Sequence, residues 1–324
     1  MFPLLPLLSR REALRSISAG FGYLALTSLL TDRAAAGSSN PLLAKSPMLP
    51  ARAKRVIFMF NQGGPSHVDT FDYKPALTQH DGQSPGEVHS YKGGDRKLMK
   101  SPFKFSQHGK SGLWISELFP HLAQHADELC LLNSMHTGSF QFVRPSVGSW
   151  VLYGLGTENS ELPGFITLNP LNRVGGAQNY GSAFLPAAFQ GTRIGGEGTN
   201  LEKAGIPNLR NAGISPEMQR QQLDYLQDLN HERLEADKVN TELEGLIESY
   251  ELAFRMQGAV PRLMDISNES SATQEAYGLH DKSTDSFGRQ CLLARRFAEA
   301  GVRFIELSTA GWDQHRNLRS ALTK

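Results

Sequence analysis

Acidic and histidine side chains follow an apolar run near the start of the chain, in the segment VIFMFNQGGPSHVDTFD at residues 56–72. Residues 56–60 are continuously apolar, which predicts a buried strand, and His67, Asp69 and Asp72 come after paired glycines. A loop that only reverses the chain needs turn residues rather than clustered carboxylate and imidazole groups. The segment therefore suggests a ligand-binding or catalytic loop, with ordinary polar loop residues as the alternative.

Two further apolar runs are followed by polar groups of the same kinds. They are residues 129–133 (LCLLN), followed by His136 and Thr137, and residues 302–308 (VRFIELS), followed by Asp313 and His315. Ligands of open α/β sheets bind beyond the carboxyl ends of the strands, so we expect these loops to converge at one edge. Carboxylate and imidazole groups together suit zinc, manganese or iron, including two-metal hydrolytic sites. In the alternative interpretation, Asp69 and Asp313 cap helices and His136 is a hydrogen-bonded core histidine.

Helical patterns separate these apolar runs and indicate the fold class. The segment SELFPHLAQHADEL (116–129) starts with serine and has apolar residues at helical spacing, and DSFGRQCLLARRFAEAG (285–301) ends on glycine. GSWVLYGLG predicts another helix and PGFITLNP another strand. Helix, strand and polar loop in repeated succession indicate an α/β fold with a largely parallel sheet.

Residues 215–257 have a different character. Ser215 stands at a helix cap position, Pro216 follows at the first helical position, and apolar residues recur at three- to five-residue steps. The pattern predicts one long amphipathic helix or a helical hairpin packed on the domain. The preceding residues 170–215 are rich in glycine, asparagine and proline, which predicts a loop.

The first 36 residues are predicted to be an export signal. Two adjacent arginines in SRREALR precede a weakly hydrophobic run that contains glycine, and Ala34 and Ala36 have the spacing of a cleavage site. These features indicate a twin-arginine signal and a periplasmic or extracellular protein. A short membrane anchor is the alternative, but the run is shorter than the roughly 20 residues that span a bilayer, so we expect no stable membrane span after cleavage. Residues 37–54 are predicted to be a linker, and residues 55–324 a single domain.

The charge balance argues against nucleic acid as a partner. Net charge is +1 for the whole chain, and the four basic and two acidic residues before residue 37 account for more than this excess. The predicted mature chain is therefore almost neutral, without the basic excess of a nucleic-acid-binding protein. There is also no Walker A sequence and no GxSxG motif, and the glycine-rich RIGGEGTN lacks a strand-to-helix context.

Six long motifs in order from about residue 55 resemble the family called domain of unknown function 1501. The motifs are FMFNQGGPSHVDTFDYKP, RPSVGSWVLYGLGTENSELPGF, NYGSAFLPAAFQGT, IESYELAFRMQ, FGRQCLLARRFAEAGVRFIEL and GWDQHRN. This family of secreted bacterial proteins is grouped with the alkaline phosphatase and sulfatase superfamily. The resemblance implies an alkaline-phosphatase-like, doubly wound α/β fold with helices on both faces of the sheet. It also implies metal-bound carboxylates and histidines at the strand ends and hydrolysis of esters.

The resemblance implies roles for particular residues. Asp69 matches the acid after the first strand, and Asp313 and His315 match the D-x-H metal motif, so these three are the first-choice metal ligands. His67 and Asp72 belong to the first motif and are, with His136, second-choice ligands. The implied metal is a divalent ion such as zinc, manganese or calcium. The implied substrate is a small-molecule or polysaccharide ester of phosphate or sulfate.

The nucleophile implied by the resemblance falls where the chain departs from the family pattern. In the superfamily the region after the second strand carries the nucleophile, which makes Thr137 or Ser139 the candidate here. Family members carry an additional segment between SMHT and GRPSMGSW, and they continue past GWDTH through GEFGR and GRDH motifs, whereas this chain ends at NLRSALTK. We therefore expect an internally deleted domain that is incomplete at its C-terminus. The functional alternative is a non-catalytic secreted binding or structural protein, or a pseudoenzyme fragment.

Overall fold

The computed structural model describes residues 41–84, 97–133, 145–172, 175–201, 213–237, 241–314 and 316–323. Within these ranges the strands are β1 Val56–Asn61, β2 Phe105–His108, β3 Leu113–Ser116, β4 Phe165–Leu168, β5 Thr192–Ile194 and β6 Phe304–Thr309. The α-helices are α1 His67–Thr70, α2 Pro75–Gln79, α3 Val147–Leu155, α4 Pro216–Asp237, α5 Thr241–Met264, α6 Ser271–Ala276, α7 Asp285–Glu299 and α8 Leu318–Leu322. Short 3-10 segments cover Leu122–Glu128, Gly176–Asn179 and Ala187–Phe189.

A four-stranded parallel sheet organises the fold, with strand order β1-β6-β4-β5. The central strands β6 and β4 come from the predicted apolar runs, and both are buried along almost their whole length. Strands β2 and β3 form a separate antiparallel pair. The observed architecture confirms the predicted α/β class with a largely parallel sheet.

Helices cover the central strands on both faces because successive side chains of a strand point to opposite sides. On one face Ile305 and Leu307 of β6 pack in a core cluster with residues of α5 and α7, including Val260 and Phe297. On the other face Phe304 belongs to a second cluster with side chains of α3 and of the Ala187–Phe189 segment. Helix α7 ends as predicted, just before Gly301, whose φ of 102° suits a residue without a Cβ.

Residues 215–257 form a helical hairpin rather than one helix. Helices α4 and α5 run antiparallel, with Arg220 of α4 making a bidentate pair with Glu251 of α5 at 2.9 and 2.7 Å. About two turns further along α4, the Gln227 side chain donates to the carbonyl of Ile247 at 2.9 Å. These two contacts fix the register of the hairpin. Ser215 caps α4 as predicted, because its hydroxyl accepts from the backbone N–H of Met218.

The prediction of a buried strand at residues 129–133 is wrong. This segment pairs with no strand among the described residues, and Leu131 and Leu132 are 38% and 67% exposed. The helix predicted for residues 116–129 is also shorter than expected, because Ser116 ends β3 and only Leu122–Glu128 is helical. This 3-10 segment packs Ala123 and Ala126 against the β2–β3 pair instead of leading into the main sheet.

Strand β1 has the predicted position but not the predicted burial. It lies at the edge of the sheet, and its Val56, Ile57, Phe58 and Met59 side chains are 38–52% exposed. Both faces of this strand are therefore open to solvent, although its sequence is as apolar as that of a central strand.

Several predictions concern residues outside the described ranges. The predicted signal, residues 1–36, lies outside them, as do residues 37–40 of the predicted linker. Among the described helices, none combines the length and the apolar character that crossing a bilayer requires.

Candidate functional site at the carboxyl edge of the sheet

The loops that follow β1 and β6 are joined at the carboxyl edge of the sheet. Gln62 donates its backbone N–H to the carbonyl of Thr309 at 2.8 Å, and its own carbonyl accepts from the N–H of Trp312 at 3.1 Å. The hydroxyl of Thr309 donates to the side-chain oxygen of Asn61 at 2.8 Å and accepts from the indole N–H of Trp312 at 2.8 Å. Parallel pairing of neighbouring strands thus brings together two loops about 250 residues apart in sequence, as predicted.

Gly63 allows the two loops to approach closely. A Cβ at this position would lie 2.3 Å from the backbone nitrogen and 2.6 Å from the Cβ of Asp313, which no real side chain tolerates. The φ of Gly63 is also 98°, a conformation that residues with side chains rarely adopt. Gly63 therefore lets the candidate ligand Asp313 pack directly against the first strand-end loop.

Asp69 lies in helix α1 and is held by two serine hydroxyls. Its carboxylate accepts from Ser66 at 2.5 Å and from Ser101 at 2.6 Å, and the residue is only 2% exposed. Buried carboxylates are stable only when their oxygens receive such hydrogen bonds. Through these hydrogen bonds Asp69 connects the strand-end loop to the segment that precedes β2. It does not cap a helix, which was the alternative role predicted for it, because Ser66 holds the cap position.

His67 and Asp72 lie together on the surface beside Asp69. Nε2 of His67 is 3.9 Å from a carboxylate oxygen of Asp72, and the His67 side chain is 76% exposed. The other Asp72 oxygen pairs with the ammonium of Lys74 at 2.8 Å. The first motif therefore separates its polar residues into the buried Asp69 and a solvent-accessible group of His67, Asp72 and Lys74, in which Asp72 is partly buried.

The described residues do not by themselves provide a complete metal-ligand set. No group of three histidine, cysteine, aspartate or glutamate side chains in the described part of the chain could hold a metal ion. The predicted ligands His136 and His315, and the predicted nucleophiles Thr137 and Ser139, lie outside that part. At the carboxyl edge of the sheet, the structure places Asp313 against Gly63. Asp69 lies six residues after Gly63 in the same strand-end segment.

Glu306 is a carboxyl group near this edge that the sequence motifs did not single out. It lies in the central strand β6, in register with Phe58 and Thr167, and is 5% exposed. Burial raises the pKa of Glu306 to about 7, against a smaller lowering by a hydrogen bond with Ser308. The Thr167 hydroxyl beside it has no hydrogen-bond partner among the described residues. The sequence feature that could have predicted this buried carboxyl group is the single acidic residue inside the mostly apolar run VRFIELS.

The fold and the strand-end loops define an α/β domain whose polar loops gather at the carboxyl edge of a parallel sheet. The chain belongs to the family described as Protein of unknown function (DUF1501), whose profile matches residues 53–324. No curated protein and no solved structure matches the sequence. The predicted family is thereby confirmed for most of the chain.

Proposed function

We propose that this protein is an exported, sulfatase-like, metal-dependent hydrolase of phosphate or sulfate esters. Its site lies at the carboxyl edge of the sheet, where the loops after β1 and β6 meet. The observation that carries the proposal is the close packing of Asp313 against Gly63, because it joins the two motifs on which the family resemblance places metal ligands. Exchange of substrate with solvent is possible there, since strand-end loops lie at the surface.

Asp313 and His315 are the proposed metal ligands. Both follow the central strand β6, so a rigid element supports their loop, and the hydrogen bonds of Trp312 and Thr309 fix its path. A divalent ion bound there would supply charge stabilisation to the ester oxygens. Asp69 has a supporting role in this arrangement, because the Ser66 and Ser101 hydroxyls hold it and thereby hold the first loop in place.

The proposal is tested by metal content and turnover of the purified full chain. We expect at least one transition-metal or calcium ion per chain by elemental analysis, and hydrolysis of an aryl phosphate or aryl sulfate. Changing Asp313 and His315 together to alanine should remove the metal and lower turnover by about 100-fold or more. A matched control changes Asp228 and His121 to alanine, since both are exposed and remote from the sheet edge in sequence.

Three outcomes would contradict the proposal. Unchanged metal content in the Asp313/His315 variant would remove the ligand assignment, and equal losses in the control variant would show a non-specific effect. A chain that folds, binds no metal and hydrolyses neither ester would contradict the hydrolase function itself.

A second candidate function is a non-catalytic secreted binding or structural protein. The exposed apolar strand β1 favours it, because an open strand edge is a template for pairing with another chain. Metal content and ester hydrolysis distinguish the two candidates. A binding protein would form a folded, homogeneous complex with its partner but would contain no metal and hydrolyse no ester.

A further inference from the structure

A cleft beside β5, at the edge of the sheet opposite β1, is separate from the strand-end loops. It lies between helix α5 and the edge strand β5, whereas the joined loops follow β1 and β6. Its volume is about 570 Å³, within the roughly 300–1,000 Å³ typical of sites for small molecules. The proposed hydrolase function makes no use of this cleft.

The helix side of the cleft is mainly apolar. Leu252 and Met256 of α5 are four residues apart, so they lie one above the other on the same helix face, and Ala253 lies beside them. Ala187 and Ala188 of the neighbouring 3-10 segment extend this surface. An apolar body placed here would lose contact with water on one side without burying any charged group of the protein.

The strand side of the cleft presents an unpaired cation. Among the described residues that line the cleft, Arg193 of β5 is the one charged side chain, and it makes no hydrogen bond or ion pair within the described part of the chain. Arg220 and Arg295, by contrast, are each paired with a glutamate at 2.7 Å. A guanidinium with all its donors available in a concave surface attracts anions and can bind a planar or tetrahedral oxyanion through two parallel hydrogen bonds.

Neutral polar residues also line this cleft. They are Tyr180, Gln190, Thr192 and Ser249, and none of them forms a side-chain hydrogen bond with the described residues. Hydroxyl and amide groups can donate to an anion, and they remain neutral whatever the pH of the surroundings. The cleft therefore combines one positive charge, several neutral donors and an apolar wall.

We infer that the α5–β5 cleft binds a small organic anion, with its carboxylate, sulfate, sulfonate or phosphate group on Arg193 and its apolar body against Leu252 and Ala253. Each part of this ligand class follows from one wall of the cleft. An inorganic anion would leave the apolar wall empty, and a neutral apolar molecule would leave the guanidinium without a counter-charge. The cleft selects molecules that carry both parts.

Calorimetric titration of the full chain with 2-naphthalenesulfonate tests the inference. This probe has an anionic head and an apolar body but no ester bond, so its binding is independent of hydrolysis at the strand-end site. We expect it to bind at least about tenfold more tightly than inorganic sulfate, which has the head alone, or 2-naphthol, which has the body alone. Changing Arg193 to glutamine should weaken binding by about tenfold or more, in line with the loss of charge-assisted hydrogen bonds.

The controls separate this cleft from other positive groups and from the proposed catalytic edge. Arg52→Gln removes an exposed arginine outside the cleft and should leave affinity unchanged. Ala253→Trp, at an exposed helix position, should fill the cleft and abolish binding, with circular dichroism checking that the chain still folds. Asp313→Asn should leave binding of the probe unchanged.

Equal affinities of the Arg193→Gln and Arg52→Gln variants would overturn the inference, as would binding of 2-naphthol as tight as that of the sulfonate. Absence of sulfonate binding to the unmodified chain would overturn it as well. Loss of binding in Asp313→Asn with retention in Ala253→Trp would place the probe at the strand-end loops and also contradict it. Metal content and turnover are measured separately, so failure of the cleft does not decide the hydrolase proposal.

Discussion

Strands β1 and β4 belong to the same sheet and have similarly apolar sequences, yet their environments differ. All four residues of β4 are buried, and Phe165, Ile166 and Leu168 have no exposed surface. The first four residues of β1 are all exposed. Strand β4 lies between two other strands and under helices on both faces, whereas β1 has one neighbour. Two similarly apolar strands thus differ in burial, because the elements around each strand decide how much of it is covered and stabilises the fold.

The largest expected effect is a difference in unfolding free energy between the two strands. Leu168→Ala should lower it by about 2–5 kcal/mol, because the change leaves a cavity in a fully buried position. Met59→Ala should lower it by about 1 kcal/mol or less, since Met59 is already 52% exposed. Urea denaturation of the two variants measures this difference. Similar losses would mean that β1 is covered in solution.

A smaller effect concerns pH and the carboxyl group of Glu306, in the strand between β1 and β4. Burial raises its folded pKa to about 7, above the ordinary 4.5, so the folded chain holds the proton more tightly than the unfolded chain. This stabilisation is complete below about pH 4.5 and is lost as the pH rises through 7, about 3 kcal/mol in all. Glu306→Gln should remove that loss between pH 5 and pH 8.

Denaturation at several pH values compares this variant with Glu275→Gln, which changes an exposed glutamate on α6. The control should keep the pH dependence of the unmodified chain. The same pH dependence in Glu306→Gln and in the unmodified chain would show that Glu306 ionises as freely in the folded as in the unfolded state. It would also place more solvent around the β1 side of the sheet than the structure has.

The smallest effect on stability is expected at the open edge itself. Met59→Lys should change the unfolding free energy by only about 0.5 kcal/mol, because its side chain is half exposed. It should nevertheless reduce self-association, since a charge on an edge strand opposes pairing with another strand. Light scattering as a function of concentration measures this, with Val147→Lys as an exposed control on α3. An unchanged scattering profile would indicate that the β1 edge is not the surface through which copies associate.

The local pattern of the sequence predicted the regular elements best where apolar runs and helix signals agreed. Strands β4 and β6, helices α3 and α7 and the helical region of α4 and α5 all lie where they were predicted. Residues 129–133 failed because a run of only four apolar residues does not by itself distinguish a strand from an irregular segment. Ser116 failed as a helix start because pairing with Phe105 placed it in β3.

The candidate site was predicted less completely than the fold. The convergence of the loops of Gly63 and Asp313 followed from the parallel sheet and is confirmed. The contacts of Asp69 did not follow, because its partner Ser101 is 32 residues away and has no motif of its own. The sequence also did not identify Arg193 as a binding residue. Its proposed role depends on the lack of an acidic side chain among the described residues that line the cleft.

The sequence by itself determined the family, the α/β class, the order of the main helices and strands and the type of residue at each strand end. These features depend on short-range periodicity, on cap and turn residues and on long motifs. The tertiary structure alone decided that β1 is an edge strand, that Asp69 pairs with serine hydroxyls and that Glu306 has a pKa near 7. Burial, hydrogen bonding and pKa depend on what surrounds a side chain, and those neighbours come from distant parts of the chain.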